Sequence, residues 1–154
     1  MQLVPLAISI AVLAGIWTYV SAQLNILTWP AFVGWALFFA AGGNDKAFFR
    51  ALLPAVSGMV LGYLAVLGAP YLGKALGVAI LVTVIAFIMT VMGSLSLFTF
   101  VPAQFAACAA FFGTGAKFWP TVIPMAIGVG LGYLSAMLPV WLTPKKAGKE
   151  TAGT

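Results

Sequence analysis

The chain has 154 residues, about one domain's length, of which 6% are charged and 64% hydrophobic. A soluble domain of that size carries roughly a quarter of its residues as charges, so water is not the solvent for most of this surface and an all-α integral membrane protein is indicated. The net charge of +5 does not point to nucleic acid, because the basic residues are scattered between apolar runs instead of gathered on one polar face.

A spanning helix needs about 20 apolar residues. In chain order, runs that qualify cover residues 3–20, 26–43, 50–68, 75–92, 97–115 and about 119–141, which predicts six transmembrane helices. The first run ends in Val20, Ser21 and Ala22 ahead of Gln23, a pattern like a signal cleavage site. It has no basic stretch before it and has a counterpart deep in the chain, so an uncleaved first span is expected. The charges avoid the runs: Asp45, Lys46 and Arg50 cluster, Lys74 and Lys117 stand alone, and Lys145, Lys146, Lys149 and Glu150 lie in the tail. The expected organisation is one transmembrane domain over 1–142, with repeats at about 3–69 and 75–142, followed by a basic polar cytoplasmic tail at 143–154.

The repeats rest on two registers. At an offset of 73, Phe32, Ala36, Phe38, Phe39 and Gly42 match Phe105, Ala109, Phe111, Phe112 and Gly115. At an offset of 70, Phe48, Pro54, Gly58, Leu61, Gly62, Tyr63 and Leu64 match Phe118, Pro124, Gly128, Leu131, Gly132, Tyr133 and Leu134. Composition alone does not readily give the same two motifs in the same order. Three spans per repeat force the second copy to start from the opposite side of the membrane, so the halves are expected to be inverted. Six spans put Lys46, Arg50, Lys145, Lys146 and Lys149 on one side and Lys74 and Lys117 on the other. The side richer in Lys and Arg faces the cytoplasm, so both termini are expected inside.

Little in the chain suits catalysis. It has no His, its acids are Asp45 and Glu150 at membrane edges, and Cys108 is its lone cysteine. Nucleophilic triads, carboxylate pairs and metal clusters need groups this composition lacks, so no enzyme activity, metal or cofactor is expected. One cysteine allows no internal disulfide, and Cys108 is read as a small packing residue. Ion-coupled carriers commonly keep ionisable groups within the bilayer. The six apolar interiors contain none, which favours passive movement of a neutral or weakly polar solute.

The duplicated aromatic motif is the candidate substrate pathway: Phe32, Phe38, Phe39 and Gly42 with Phe105, Phe111, Phe112 and Gly115. Inverted repeats meet near the bilayer midplane, where such rings could narrow a central passage, although packing or lipid contact explains any single ring as well. Gln104 and Thr114 are its polar candidates, Gln104 foremost, because an amide inside an apolar helix demands a partner. An interhelical hydrogen bond would serve that demand equally. Asn25 and Thr28 are further polar candidates, and Pro30 and Pro102 near the helix starts could free backbone carbonyls. Gly58, Gly62, Gly128 and Gly132 follow the small-x-x-x-small pattern of close helix packing, at the crossing of the third and sixth helices or against another protomer. Tyr63, Tyr133, Trp29, Trp119 and Trp141 are read as packing or interfacial residues.

The stretch Trp29-Pro30-Ala31-Phe32-Val33-Gly34-Trp35-Ala36-Leu37-Phe38-Phe39-Ala40-Ala41-Gly42-Gly43, with a second copy ending Phe111-Phe112-Gly113-Thr114-Gly115, resembles the YcdZ-like bacterial inner-membrane proteins, a domain of unknown function. The resemblance covers nearly the whole chain and implies a bacterial inner-membrane location without a substrate. Urea channels share the general plan of inverted halves with Phe-lined constrictions, an architectural analogy that transfers no residues.

Two functions follow as expectations. The first is a passive channel or facilitator for a small neutral solute of the urea, amide or ammonia kind. The second is a membrane-embedded assembly subunit, with an ion-coupled carrier behind both. Lipid is the expected surroundings, a homo-oligomer is allowed for, and nucleic acid is not expected. A continuous polar path beside the Phe motifs would favour the channel, and a solid core with a large exposed apolar face would favour the assembly subunit.

Overall fold

The computed structural model describes residues 3–142, so the expected tail at 143–154 lies outside the described residues. Among the described residues the regular structure is all helical, with six α-helices: α1 (Leu3–Gln23), α2 (Trp29–Ala40), α3 (Ala47–Gly68), α4 (Lys74–Met92), α5 (Val101–Gly113) and α6 (Phe118–Leu142). A 3₁₀ turn, Ala69–Leu72, continues α3. Three stretches, Leu3–Gln23, Ala47–Leu72 and Phe118–Trp141, are long and apolar enough to cross a membrane.

Two of the expected spans are corrected in length. The runs at 26–43 and 97–115 become helices of only 12 and 13 residues. At 1.5 Å per residue these reach roughly 20 Å, short of a hydrocarbon core of about 30 Å. Pro30 and Pro102 sit in the first turns, where a missing N–H costs nothing. The far ends close on one repeated pattern. Gly43 N–H donates to the Phe38 carbonyl at 3.1 Å and Gly42 N–H to Phe39 at 3.0 Å; Ala116 N–H donates to Phe111 and Gly115 N–H to Phe112, both at 3.0 Å. The chain makes these turns through positive φ at Gly42 (121°) and Gly115 (72°), and Gly43 (62°) and Ala116 (60°) continue in the same region. Hydropathy is blind to these stops.

The core lies among α2, α3, α5 and α6, with α1 and α4 at the flanks. The most extensive contacts pair α2 with α6 and α5 with α3; α1 then lies against α6, and α4 against α3. Helices come close where side chains vanish. A methyl on Gly128 would fall onto the Ala31 carbonyl, and one on Gly58 onto the Gln104 carbonyl. Gly132 faces the Phe38 ring and Gly62 faces Cys108 and Phe111. Gly128 on Ala31 and Gly132 on Phe38 correspond to Gly58 on Gln104 and Gly62 on Phe111 at the offsets of 70 and 73. The four glycines thus serve the α3–α5 and α6–α2 crossings, rather than the expected crossing of α3 on α6.

Candidate functional site

The buried faces of the two short helices correspond position by position. Ala31, Gly34, Trp35, Leu37 and Phe38 point inward from α2, and Gln104, Ala107, Cys108, Ala110 and Phe111 from α5. Phe38 and Phe111 are fully buried and belong to one core cluster. Each meets the tyrosine of the opposite half edge-on, with ring centroids 6.2 Å apart for Phe38 and Tyr133 and 6.4 Å for Phe111 and Tyr63. Phe48 and Phe118 extend the two clusters against the same tyrosines.

The other rings of the motif do not join them. Phe32, Phe105 and Phe112 are exposed, and Phe39 is half-buried against Phe38. On a helix the FF pair points about 100° apart, so one member enters the core and its neighbour turns toward the outside. A ring of six Phe around one axis is therefore not what these positions form; Phe38 and Phe111 are the equivalent pair buried in the core, and Phe39 packs against its edge. Gly42 and Gly115 act at the helix ends, with φ of 121° and 72°.

Gln104 is the most demanding polar group. It is fully buried in the first turn of α5, and its amide N–H groups reach the carbonyls of Met89 and Phe98, both at 3.3 Å. Met89 lies near the end of α4, where the last carbonyls have no helical partner, and Phe98 lies in the irregular segment 93–100. The amide thus ties that segment to α4. Its Oε1 is buried and has no hydrogen-bond partner among the described residues. Leaving such an acceptor unmet costs about 1–3 kcal/mol. Thr114, at the other end of α5, bonds instead to Thr121 at 2.6 Å and to the Phe111 carbonyl at 2.8 Å. Ten residues of helix, roughly 15 Å, separate the two polar candidates, so they do not share one level.

A polar seam escaped the sequence reasoning. Trp35 Nε1–H donates to Ser135 Oγ at 3.1 Å, Ser135 Oγ–H donates to the Gly132 carbonyl at 2.8 Å, and the Ser9 hydroxyl lies 2.7 Å from the Ser135 carbonyl. Its signal was weak: two serines and a tryptophan at unrelated spacings. Ser21 and Thr28, 2.7 Å apart, form a second pair at the α1–α2 turn, where Asn25 takes φ of 53°. A cleft of about 180 Å³ opens between α4 and α5 beside Cys108, Phe105 and Phe112.

Against known proteins, a family described as a protein of unknown function (DUF1097) matches residues 7–139. The chain belongs to this DUF1097 family. It is 34% identical to the inner membrane protein YcdZ of Escherichia coli K12, over 94% of this chain and 90% of that one. It is 32% identical to the YcdZ protein of Salmonella typhimurium LT2, over 94% of this chain and 91% of the relative, and 29% identical to the uncharacterized protein YahC of E. coli K12, over 83% and 85%. No solved structure matches. The family match over residues 7–139 takes in both short helices of this chain. Two of these relatives are named inner membrane proteins, and none of the names states an activity.

Proposed function

We propose that this DUF1097 chain is a six-span protein of the bacterial inner membrane, built as two inverted three-helix halves with both termini in the cytoplasm, in which the non-helical backbone flanking α2 and α5 completes the crossings that these short helices do not make alone. Its function in this reading is to let a small neutral solute cross passively. One observation carries it: two short helices, each opened by Pro and closed at a positive-φ residue, occupy corresponding positions in the halves and pack at the centre. In membrane carriers and channels such interrupted helices mark the path, because irregular backbone is tolerated only where it is buried in protein or lines a cavity. The unpartnered Oε1 of Gln104, in the first turn of one of them, supports a polar contact there.

In the packing described, Phe38 and Phe111 fill the core, so conduction requires these two rings to move. Rings gate by size and leave charge out of it. With no His in the chain, flux should change little between about pH 6 and 8. No catalytic step or cofactor enters this reading.

The close packing also favours a second reading, an assembly subunit: helix backbones meet directly at Gly58 and Gly128, and the outer faces of α1 and α4 are apolar and exposed. A flux screen of purified protein in liposomes, with urea, ammonia, short amides, glycerol and small ions, separates the two. The channel reading predicts accelerated entry of at least one neutral solute, faster still in the Phe38→Leu, Phe111→Leu double variant, and slowed in a folded Gln104→Met variant. No flux of any solute transfers the case to the assembly subunit.

A further inference from the structure

Two clefts occupy equivalent places in the repeat. One lies where α3 begins, against the irregular segment 93–100; its wall includes Phe49, Arg50, Leu53 and Thr99. The other lies where α6 begins, against the turn after α1; its wall includes Trp119, Pro120, Ile123 and Ile26. Phe49, Arg50 and Leu53 correspond to Trp119, Pro120 and Ile123 at the offset of 70, and Thr99 to Ile26 at 73. The repeat thus builds one groove twice. In the second copy the cation and the hydroxyl are replaced by apolar groups.

The first cleft, of about 330 Å³, adds Lys46, Ser96 and Leu97 to its wall. Lys46 and Arg50 are four residues apart, on the same face of the helix start, and both are exposed. The Asn44 side-chain carbonyl fixes the turn beneath them by accepting from the Lys46 N–H at 3.0 Å and the Ala47 N–H at 3.2 Å. Asp45 is adjacent in sequence but is no part of the wall. Among the described residues neither cation forms an ion pair, and the hydroxyls of Ser96 and Thr99 have no internal hydrogen bond. Four donors therefore converge on an open cleft whose remaining wall, Phe49, Leu53 and Leu97, is exposed and apolar.

We infer that this cleft is a binding site for one anionic phospholipid. Lys46 and Arg50 meet the phosphate, Ser96 and Thr99 donate to the headgroup, and Phe49, Leu53 and Leu97 carry the start of the acyl chains. Charge complementarity selects this occupant: a cation pair bordered by apolar wall suits a molecule that is anionic at one end and apolar at the other, and cytoplasmic leaflets are rich in such lipids. The inverted topology proposed above turns the basic cleft toward the cytoplasmic leaflet and its uncharged equivalent toward the opposite one. The lipid site rests on that topology for its leaflet, and not on solute passage.

Native mass spectrometry of the purified full chain, offered phosphatidylglycerol and phosphatidylcholine in equal amounts, tests it. Phosphatidylglycerol should be retained about tenfold better, given the attraction of each cation near an anionic surface, and this preference should fall away at high salt. The K46Q/R50Q variant should lose the preference while unfolding at the same temperature as the parent. The K145Q/K146Q/K149Q variant, altered only in the tail, should keep it. Equal retention of both lipids by the parent, a preference that survives K46Q/R50Q or high salt, or one lost with the tail lysines overturns the site. So does full displacement of the lipid by glycerol 3-phosphate, which would make the ligand a free phosphate. Because binding is read in detergent, failure here leaves the topology and the flux test standing on their own results.

Discussion

The seam between α2 and α6 and the seam between α5 and α3 share a backbone plan and differ in what fills it. In the first, the Trp35 indole occupies the inner face and bonds to Ser135; in the second, Cys108 stands at the Trp35 position, Ala65 stands at that of Ser135, and a cleft opens beside the sulfur. Conversely, Ala31 is inert where Gln104 carries a buried amide. What the halves hold in common is therefore structural: the glycine approaches, the inward Phe and the helix-closing turns. What they do not share is polar. A duplicated fold keeps the packing that both copies need and is free to vary chemistry in one.

The largest expected effect tests the shared part. Phe38→Ala and Phe111→Ala each remove a fully buried ring and should cost about 3–5 kcal/mol. Phe32→Ala and Phe105→Ala, in the same motif but facing outward, should cost less than about 1 kcal/mol. Unfolding of the purified variants in detergent would measure both, and equal losses would break the division into inner and outer rings.

A smaller effect is expected at the crossings. Gly128→Ala places a methyl on the Ala31 carbonyl and Gly58→Ala one on that of Gln104, so each should destabilise by about 2–3 kcal/mol. Gly130→Ala meets nothing within 4 Å and should be neutral or slightly stabilising, as alanine suits a helix better by about 1 kcal/mol. If Gly58→Ala is harmless while Gly128→Ala is not, the seams are not equivalent.

The smallest effect compares the closing turns. Ala116 holds φ of 60° where the first half has Gly43 at 62°, and a side chain in that region costs about 1–2 kcal/mol. Ala116→Gly should therefore stabilise the protein by about 1 kcal/mol, and Gly43→Ala should destabilise it by at least as much. Thermal unfolding reads both signs, and loss of stability in Ala116→Gly would contradict the geometry.

Much of the shared part was legible. The two registers depend only on residue identity, so Phe38 with Phe111 and Gly58 with Gly128 announced themselves as pairs. Helix faces were not legible, because in an apolar chain both the core and the exterior are hydrophobic and no polar stripe tells Phe38 from Phe32. The 12- and 13-residue lengths of α2 and α5 were hidden from a hydropathy window, although Pro30, Pro102, Gly42 and Gly115 marked the places. Gln104 was legible as a group needing a partner, while its partners, the Met89 and Phe98 carbonyls, follow from the end of α4 and could not be read from spacing.

Inversion of the halves is the central claim, and Phe49 and Trp119 test it most directly. They are equivalent in the repeat and are 63% and 67% exposed. In a Cys108→Ala background, Phe49→Cys and Trp119→Cys would be treated in intact cells with a membrane-impermeant thiol reagent. Inverted halves predict labelling of Trp119→Cys from outside, with Phe49→Cys reacting only after the cells are opened. Labelling of both from the same side would contradict it.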